Sequence, residues 1–150
     1  MKIPYNFKII SGGQTGVDRA ALDFAHAKQI NSGGWCPKGR WAEDGIISQK
    51  YQLQETTSDN IDERTAKNVE EADGTLIICR KRLDTGSLQT IQHCKTFGKP
   101  FLLIKEGEEN SFNKWMQSNS INILNIAGPR ESNEPGIYIF ALKILTEIFG

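Results

Sequence analysis

The sequence predicts one α/β domain over residues 1–150: a doubly wound, mostly parallel sheet with helices on both faces. Three observations carry that prediction. Short apolar runs alternate with helix-patterned segments from one end of the chain to the other. A glycine-rich stretch falls where the first apolar run hands over to the first helix, and no repeat, low-complexity tract or linker divides the chain. Strands alternating with helices imply crossover units, which cover a parallel sheet on both faces. At 150 residues, 38% of them hydrophobic and 24% charged, the chain has the length of one domain and enough apolar residues for a proper core.

The first strand is predicted at residues 7–11, where FKIIS ends in two isoleucines. Val17, Ala20, Ala21, Phe24 and Ala25 then recur at helical spacing and place a helix over 17–30. GGWC at 33–36 reads as the second strand. Asn60, with Glu63 three residues on, marks the start of a helix over 61–72 whose stripe is Ile61, Thr65, Val69 and Ala72. Further strands are predicted at 74–79, 100–104 and 121–126, separated by helices over 87–97 and 111–119. The last helix, 135–149, is the clearest: Pro135 stands early, and Ile137, Phe140, Ala141, Ile144, Leu145 and Ile148 share one face.

Lys plus Arg and Asp plus Glu both total 18, so no global charge points to nucleic acid or an anionic membrane surface. The apolar stretch at the N-terminus is too short for a secretory signal, and no run reaches membrane-spanning length. Cys36, Cys79 and Cys94 are scattered without metal-type spacing, which fits a reducing, cytoplasmic setting. His26 and His93 fall in separate predicted helices and read as solvated or core residues.

In open parallel sheets, ligands bind outside the carboxyl ends of the strands, where the strand order reverses. That rule selects the loops 11–18, 37–45, 80–87 and 127–136. The first, Ser11-Gly12-Gly13-Gln14-Thr15-Gly16, ends where free backbone N–H groups and a helix dipole favour an anion. It lacks the first glycine of a dinucleotide fingerprint, and the second strand ends in Cys36-Pro37-Lys38-Gly39-Arg40, with two cations where an acid is expected. No P-loop pattern is present either. The stretch therefore reads as a phosphate-binding turn, the alternative being a tight turn with Thr15 as the helix cap.

Lys38 supplies a point charge and Arg40 a bidentate fork for an oxyanion, and Trp41 is the better placed of two flanking tryptophans to stack on a ring. Glu43 and Asp44 can alternatively pair with those cations. Arg64 and Asn68 lie one helical turn apart and can project together over the sheet edge. Gly86 and Ser87 form a second loop-to-helix turn, facing the first if the strands at 7–11 and 74–79 are neighbours; Arg130 follows the last strand. The acids nearest this edge are Asp18, Glu43, Asp44, Asp84 and Glu131, and no nucleophile elbow appears.

Taken together, SGGQTGVDRAALDFA, GGWCPKGRWAEDG, NIDERTAKNVEEADGTLII and NIAGPRES followed by PGIY resemble the putative molybdenum carrier family over nearly the whole chain. The resemblance implies a Rossmann-like fold, assembly into a dimer or tetramer, and ligand contact by Gly12, Gly13, Gln14, Thr15, Gly16, Lys38, Arg40, Arg64, Gly86 and Ser87. It also implies the molybdenum cofactor as cargo, a ligand with a terminal phosphate and a planar pterin. The wider group includes lysine-decarboxylase-like phosphoribohydrolases, whose PGGxGTxxE pattern is missing here: Gly86-Ser87 leads to Gln89 and Thr90, with no glutamate. The expected function is thus a non-catalytic binding or carrier protein for a phosphorylated heterocycle, the molybdenum cofactor or a nucleotide. The alternative is a nucleotide-processing enzyme such as a nucleoside monophosphate phosphoribohydrolase. Phe112, Trp115 and Met116 of the mid-chain helix are a candidate contact surface for self-association, or core.

Overall fold

In the computed structural model, which describes residues 3–150, the first apolar run forms β1 (Lys8–Ile10) and passes through the glycine stretch into α1 (Val17–Ala27). The second predicted strand divides in two. β2 (Asn31–Gly33) joins β1, whereas β3 (Trp35–Cys36) turns away to pair with β6 (Gln54–Glu55). The break is at Gly34, whose φ of +126° suits glycine and whose Cβ would stand 2.2 Å from the Ser11 carbonyl oxygen. Between β3 and β6 a hairpin of β4 (Trp41–Ala42) and β5 (Gly45–Ile46) forms where only a loop was expected.

α2 (Ile61–Glu71) starts as predicted, with the Asn60 side chain accepting from the Asp62 amide at 2.9 Å. Glu63 does not reach back to Asn60; it accepts from the amide and hydroxyl of Ser58. β7 (Gly74–Ile78) is buried along its whole length. α3 (Thr85–Phe97) begins two residues earlier than expected because Asp84 caps it, and it ends on Gly98 in the left-handed region. β8 (Phe101–Ile104), α4 (Phe112–Ser118), β9 (Ile123–Ala127) and α5 (Ile137–Phe149) complete the chain.

The five main strands are parallel in the order β2-β1-β9-β7-β8. β9, the last strand in sequence, therefore lies between β1 and β7, so the condition that those two be neighbours is not met. Counted from β9 as the first strand, followed by β1, β2, β7 and β8, the order is 3-2-1-4-5, that of a dinucleotide-binding sheet. The chain is such a sheet opened at a different point. The ends sit accordingly: the rings of Phe7 before β1 and Phe149 at the end of α5 have centroids 5.9 Å apart.

α1, α4 and α5 pack on one face of the sheet, where Phe24, Phe112, Phe140 and Phe149 help fill the main core. α2 and α3 lie against each other on the opposite face. Phe112 and Met116, weighed above as a contact surface, are core residues at 0% and 5% exposure. A smaller cluster of Leu22, Cys36, Ala42, Ile47 and Tyr51 anchors the excursion between β3 and β6 to α1.

Candidate functional site

Because the five main strands run the same way, their carboxyl ends share one edge, and the loops after β1, β7 and β9 converge there. Together with α2 and α3 they form an open cleft. Ile61, Arg64, Thr65 and Asn68 form one wall, Gly86, Gln89 and Thr90 the other. Gly12, Gln14, Asp18 and Asn125 lie at the floor, and Asp84, Arg130 and Asn133 stand towards the rim. The loop 37–45 contributes no lining residue.

The glycines of the first loop make room for the protein itself. A Cβ on Gly12 would lie 2.1 Å from the Arg64 guanidinium, one on Gly13 2.7 Å from the Leu53 side chain, and one on Gly16 2.3 Å from the Pro129 carbonyl oxygen. Gly13 and Gly16 also take φ of +78°, which favours glycine. Thr15 does not cap α1: the cap position is Gly16, and the Thr15 hydroxyl donates to Glu43.

Arg64 is the buried cation of the site, 7% exposed. Its Nη1 donates to the Gly12 carbonyl at 3.0 Å and meets Asp18 Oδ2 at 3.4 Å. Burial pushes the Asp18 carboxyl up to about 6 even though Arg64 and the amides of Gln14 and Gly12 pull it down. Asn68, one turn on, is spent on the fold: its amide bonds both the N–H and the carbonyl of Trp35.

Gly86 faces open space in the first turn of α3, where a Cβ would meet only Asp84 Oδ1, at 3.9 Å. Asp84 accepts from the Ser87 amide and from Asn133 Nδ2, both at 2.9 Å. Burial opposes its ionisation, yet those hydrogen bonds hold its carboxyl below the usual range. Ser87 is buried, and its hydroxyl has no partner among the described residues. Arg130 is held only loosely, 3.8 Å from Glu43. The start of α5, in contrast, is closed by the chain's own Glu131, which accepts from the amides of Gly136 (2.6 Å) and Tyr138 (3.0 Å).

Lys38 and Arg40 lie outside the cleft. Lys38 is exposed in the turn after β3. Arg40, 6% exposed, gives its guanidinium to the carbonyls of Ile47, Ser48, Tyr51 and Leu53 and so ties down the segment 47–53. Trp41 is half exposed on the hairpin, away from the cleft. Glu43 and Asp44 pair with Arg130 and Arg19 rather than with Lys38 or Arg40. Glu43 also accepts from Thr15 and from Ser132, which latches the hairpin to the first and last loops.

Asn125, Thr90 and Asn133 complete a cleft that the sequence reading assembled without them. Asn125 carried a usable signal, since a polar residue within the apolar run ILNIA is the informative exception in a buried strand. Among the described residues no group of three or more His, Cys, Asp or Glu side chains can hold a metal ion. The three cysteines are free and buried outside the cleft, where burial pushes their thiols up.

Residues 9–149 match the circularly permutated YpsA SLOG family. A crystal structure described as a putative molybdenum carrier protein from Syntrophus aciditrophicus SB superposes with a TM-score of 0.94 at 44% identity, covering 99% of this chain and 98% of that one. (E)-4-Hydroxy-3-methyl-but-2-enyl diphosphate reductase matches 95% of this chain and 59% of its own at 15% identity and a TM-score of 0.42, too distant to bear on function. No curated protein matches. Among the described residues no helix is long and apolar enough to cross a membrane.

Proposed function

The chain belongs to the circularly permutated YpsA SLOG family, and from that premise we propose that it is a binding or carrier protein for a phosphorylated heterocycle held in the cleft between α2 and α3. The observation that carries the reading is the convergence, at the point where the strand order reverses, of the exposed first turn of α3, the loosely held Arg130 and a floor of fixed polar side chains. The phosphate belongs at the rim. There the N–H groups of Thr85 and Gly86 and the helix dipole favour negative charge, and Arg130 supplies a charge-assisted contact. The ring belongs deeper, between α2 and α3.

The relative from Syntrophus makes the molybdenum cofactor the first cargo to test, with a nucleotide second. The donor set suits the cofactor's phosphate and pterin. Among the described residues no thiol or imidazole lines the cleft, so the chain would hold this cargo through its phosphate and pterin and not through its metal. Of the residues nominated from the sequence, Gly12, Gln14, Arg64 and Gly86 line the cleft, and Gly13, Thr15, Gly16 and Ser87 do not. Self-association is part of the proposal, with exposed Ile139 on α5, and separately the hairpin pair Trp41 and Ile46, as its apolar contacts.

Native mass spectrometry of the purified protein, followed by calorimetric titration of any retained compound, tests the reading. A phosphorylated ring compound lost on Arg130→Ala supports it. Absence of binding to the cofactor and to every nucleotide monophosphate refutes it.

One observation favours a second reading, a nucleotide-processing enzyme. Asp18 is a buried carboxyl in the cleft, raised to about 6, so it can carry or release a proton near neutrality. Base release from nucleoside monophosphates, abolished by Asp18→Asn, is its signature.

A further inference from the structure

Three side chains at the floor of the cleft, each more than nine-tenths buried, keep a polar atom without a partner among the described residues. Gln14 is 6% exposed, and its Oε1 accepts from the amides of Thr15 and Glu43, both at 2.9 Å. Two backbone donors on one atom identify that atom as the oxygen, so Nε2 is the free donor. Arg64 spends Nε and Nη1 on the Ile61 and Gly12 carbonyls and on Asp18, which leaves Nη2. Asn125 is 3% exposed and donates from Nδ2 to Thr75 Oγ1 at 3.2 Å. That bond spends the amide nitrogen and leaves Asn125 Oδ1 as a free acceptor among the described residues. The one fully enclosed side-chain atom without a partner among the described residues is Ser87 Oγ, so these three are open to the cleft.

The charge on this floor is balanced. Asp18 stands 3.4 Å from Arg64, so a second formal anion here would meet a carboxylate and an amide oxygen as well as the guanidinium. The complement of the floor is a neutral edge with a strong acceptor beside a donor. Gln14 and Arg64 line the same cleft, and Arg64 bonds the Gly12 carbonyl two residues before Gln14, so the two free donors border one space.

We propose that the floor reads the lactam edge of a guanine- or pterin-type ring: the ring carbonyl accepts from Gln14 Nε2 and Arg64 Nη2, and the adjacent ring N–H donates to Asn125 Oδ1. This rests on the phosphorylated-heterocycle reading above. An adenine ring offers one lone pair where the floor has two donors, and a buried donor left unpaired is what makes such sites selective.

The test is calorimetric titration of the full chain with GMP, dihydroneopterin monophosphate, AMP and inorganic phosphate. At least one lactam ligand should bind tenfold or more tightly than AMP, and whichever is tighter, GMP or the pterin, identifies the source. Gln14→Glu keeps the acceptor for Thr15 and Glu43 but replaces the donor, and should bring the ratio to AMP near one. Asn125→Leu, which removes the acceptor, should do the same, with thermal melts confirming that both variants fold. Equal affinity for all three ring phosphates, each above inorganic phosphate, overturns the lactam assignment and leaves the heterocycle reading standing. An unchanged preference in Gln14→Glu also overturns it. If no ring phosphate binds better than inorganic phosphate, both fall.

Discussion

Arg40→Ala removes a guanidinium that donates to four carbonyls, those of Ile47 (3.1 Å), Leu53 (3.3 Å), Ser48 (2.8 Å) and Tyr51 (2.9 Å). A hydrogen bond to a charged group contributes about 1.5–3 kcal/mol, but the four share one side chain and are not additive. Ser48 is exposed and its neighbourhood regains water when the arginine is lost, whereas Ile47 and Tyr51 stay buried. A net loss of about 3–5 kcal/mol follows, set mainly by the Ile47 and Tyr51 carbonyls left unpaired in buried surroundings. For a domain of this size each kcal/mol lowers Tm by about 2–4 °C, so the variant should melt roughly 6–20 °C below the wild type. Arg40 also sits at φ +58°. Arg40→Gly therefore loses the same bonds but relieves the backbone, and should recover up to about 1 kcal/mol relative to alanine. Thermal melts by circular dichroism, paired with titration of the cleft ligand below Tm, decide the matter. Affinity should be unchanged, because Arg40 is not among the residues lining the cleft. A Tm within about 2 °C of wild type together with a tenfold loss of affinity would refute the reasoning and return Arg40 to the ligand.

Asp18 predicts a pH dependence: with its carboxyl near 6 in the fold against 3.8 unfolded, the native state holds a proton that the unfolded chain has already released. Its contribution is thus fully present below the unfolded value and lost as pH rises through about 4 to 6, by up to about 3 kcal/mol. Urea melts across that range should show the slope, and Asp18→Asn should flatten it; an identical slope in the variant sinks the assignment. Gly16→Ala, forced to φ +78° and 2.3 Å from the Pro129 oxygen, should lose at least about 1–3 kcal/mol by denaturant titration. Gly12→Ala pushes instead on the Arg64 side chain, so its larger effect should be on ligand affinity, read by calorimetry. Glu43→Gln weakens the latch to Thr15 and Ser132, and hydrogen exchange should quicken at the Glu43 and Ser132 amides while the main sheet is unaffected. Light scattering at micromolar concentration should report a dimer or tetramer that Ile139→Asp dissociates; a monomeric wild type contradicts the proposed self-association.

Much of the fold was legible because its causes are local. The stripe of α5, the Asn60 cap of α2 and the apolar runs of β7 and β8 express periodicities and hydrogen bonds that span a few residues. The rule that ligands sit beyond the carboxyl ends of parallel strands also placed three of the four selected loops on the cleft. The strand order was not legible. Nothing in Ile123–Ala127 says that it pairs with both β1 and β7, since any buried strand offers the same backbone groups. Nor did residues 33–36 show that the chain changes sheets at Gly34, because that turn is forced by the approach of Ser11 from another strand.

The site divides along the same line. From the sequence came the edge that carries the cleft and the chemistry of its loops, which follow from the βα order; Arg64 came from helical spacing and Gln14 from the family resemblance, and both line the cleft. Only the tertiary structure decided what each group is spent on. Arg40 is consumed by carbonyls between residues 47 and 53, and the loop glycines by Arg64, Leu53 and Pro129. Asn125 reaches the cleft because β9 is inserted at the centre of the sheet. A residue's hydrogen-bonding capacity is a property of its type, but its partners are set by segments distant in sequence, and what remains unpaired after they have met is what a ligand can use.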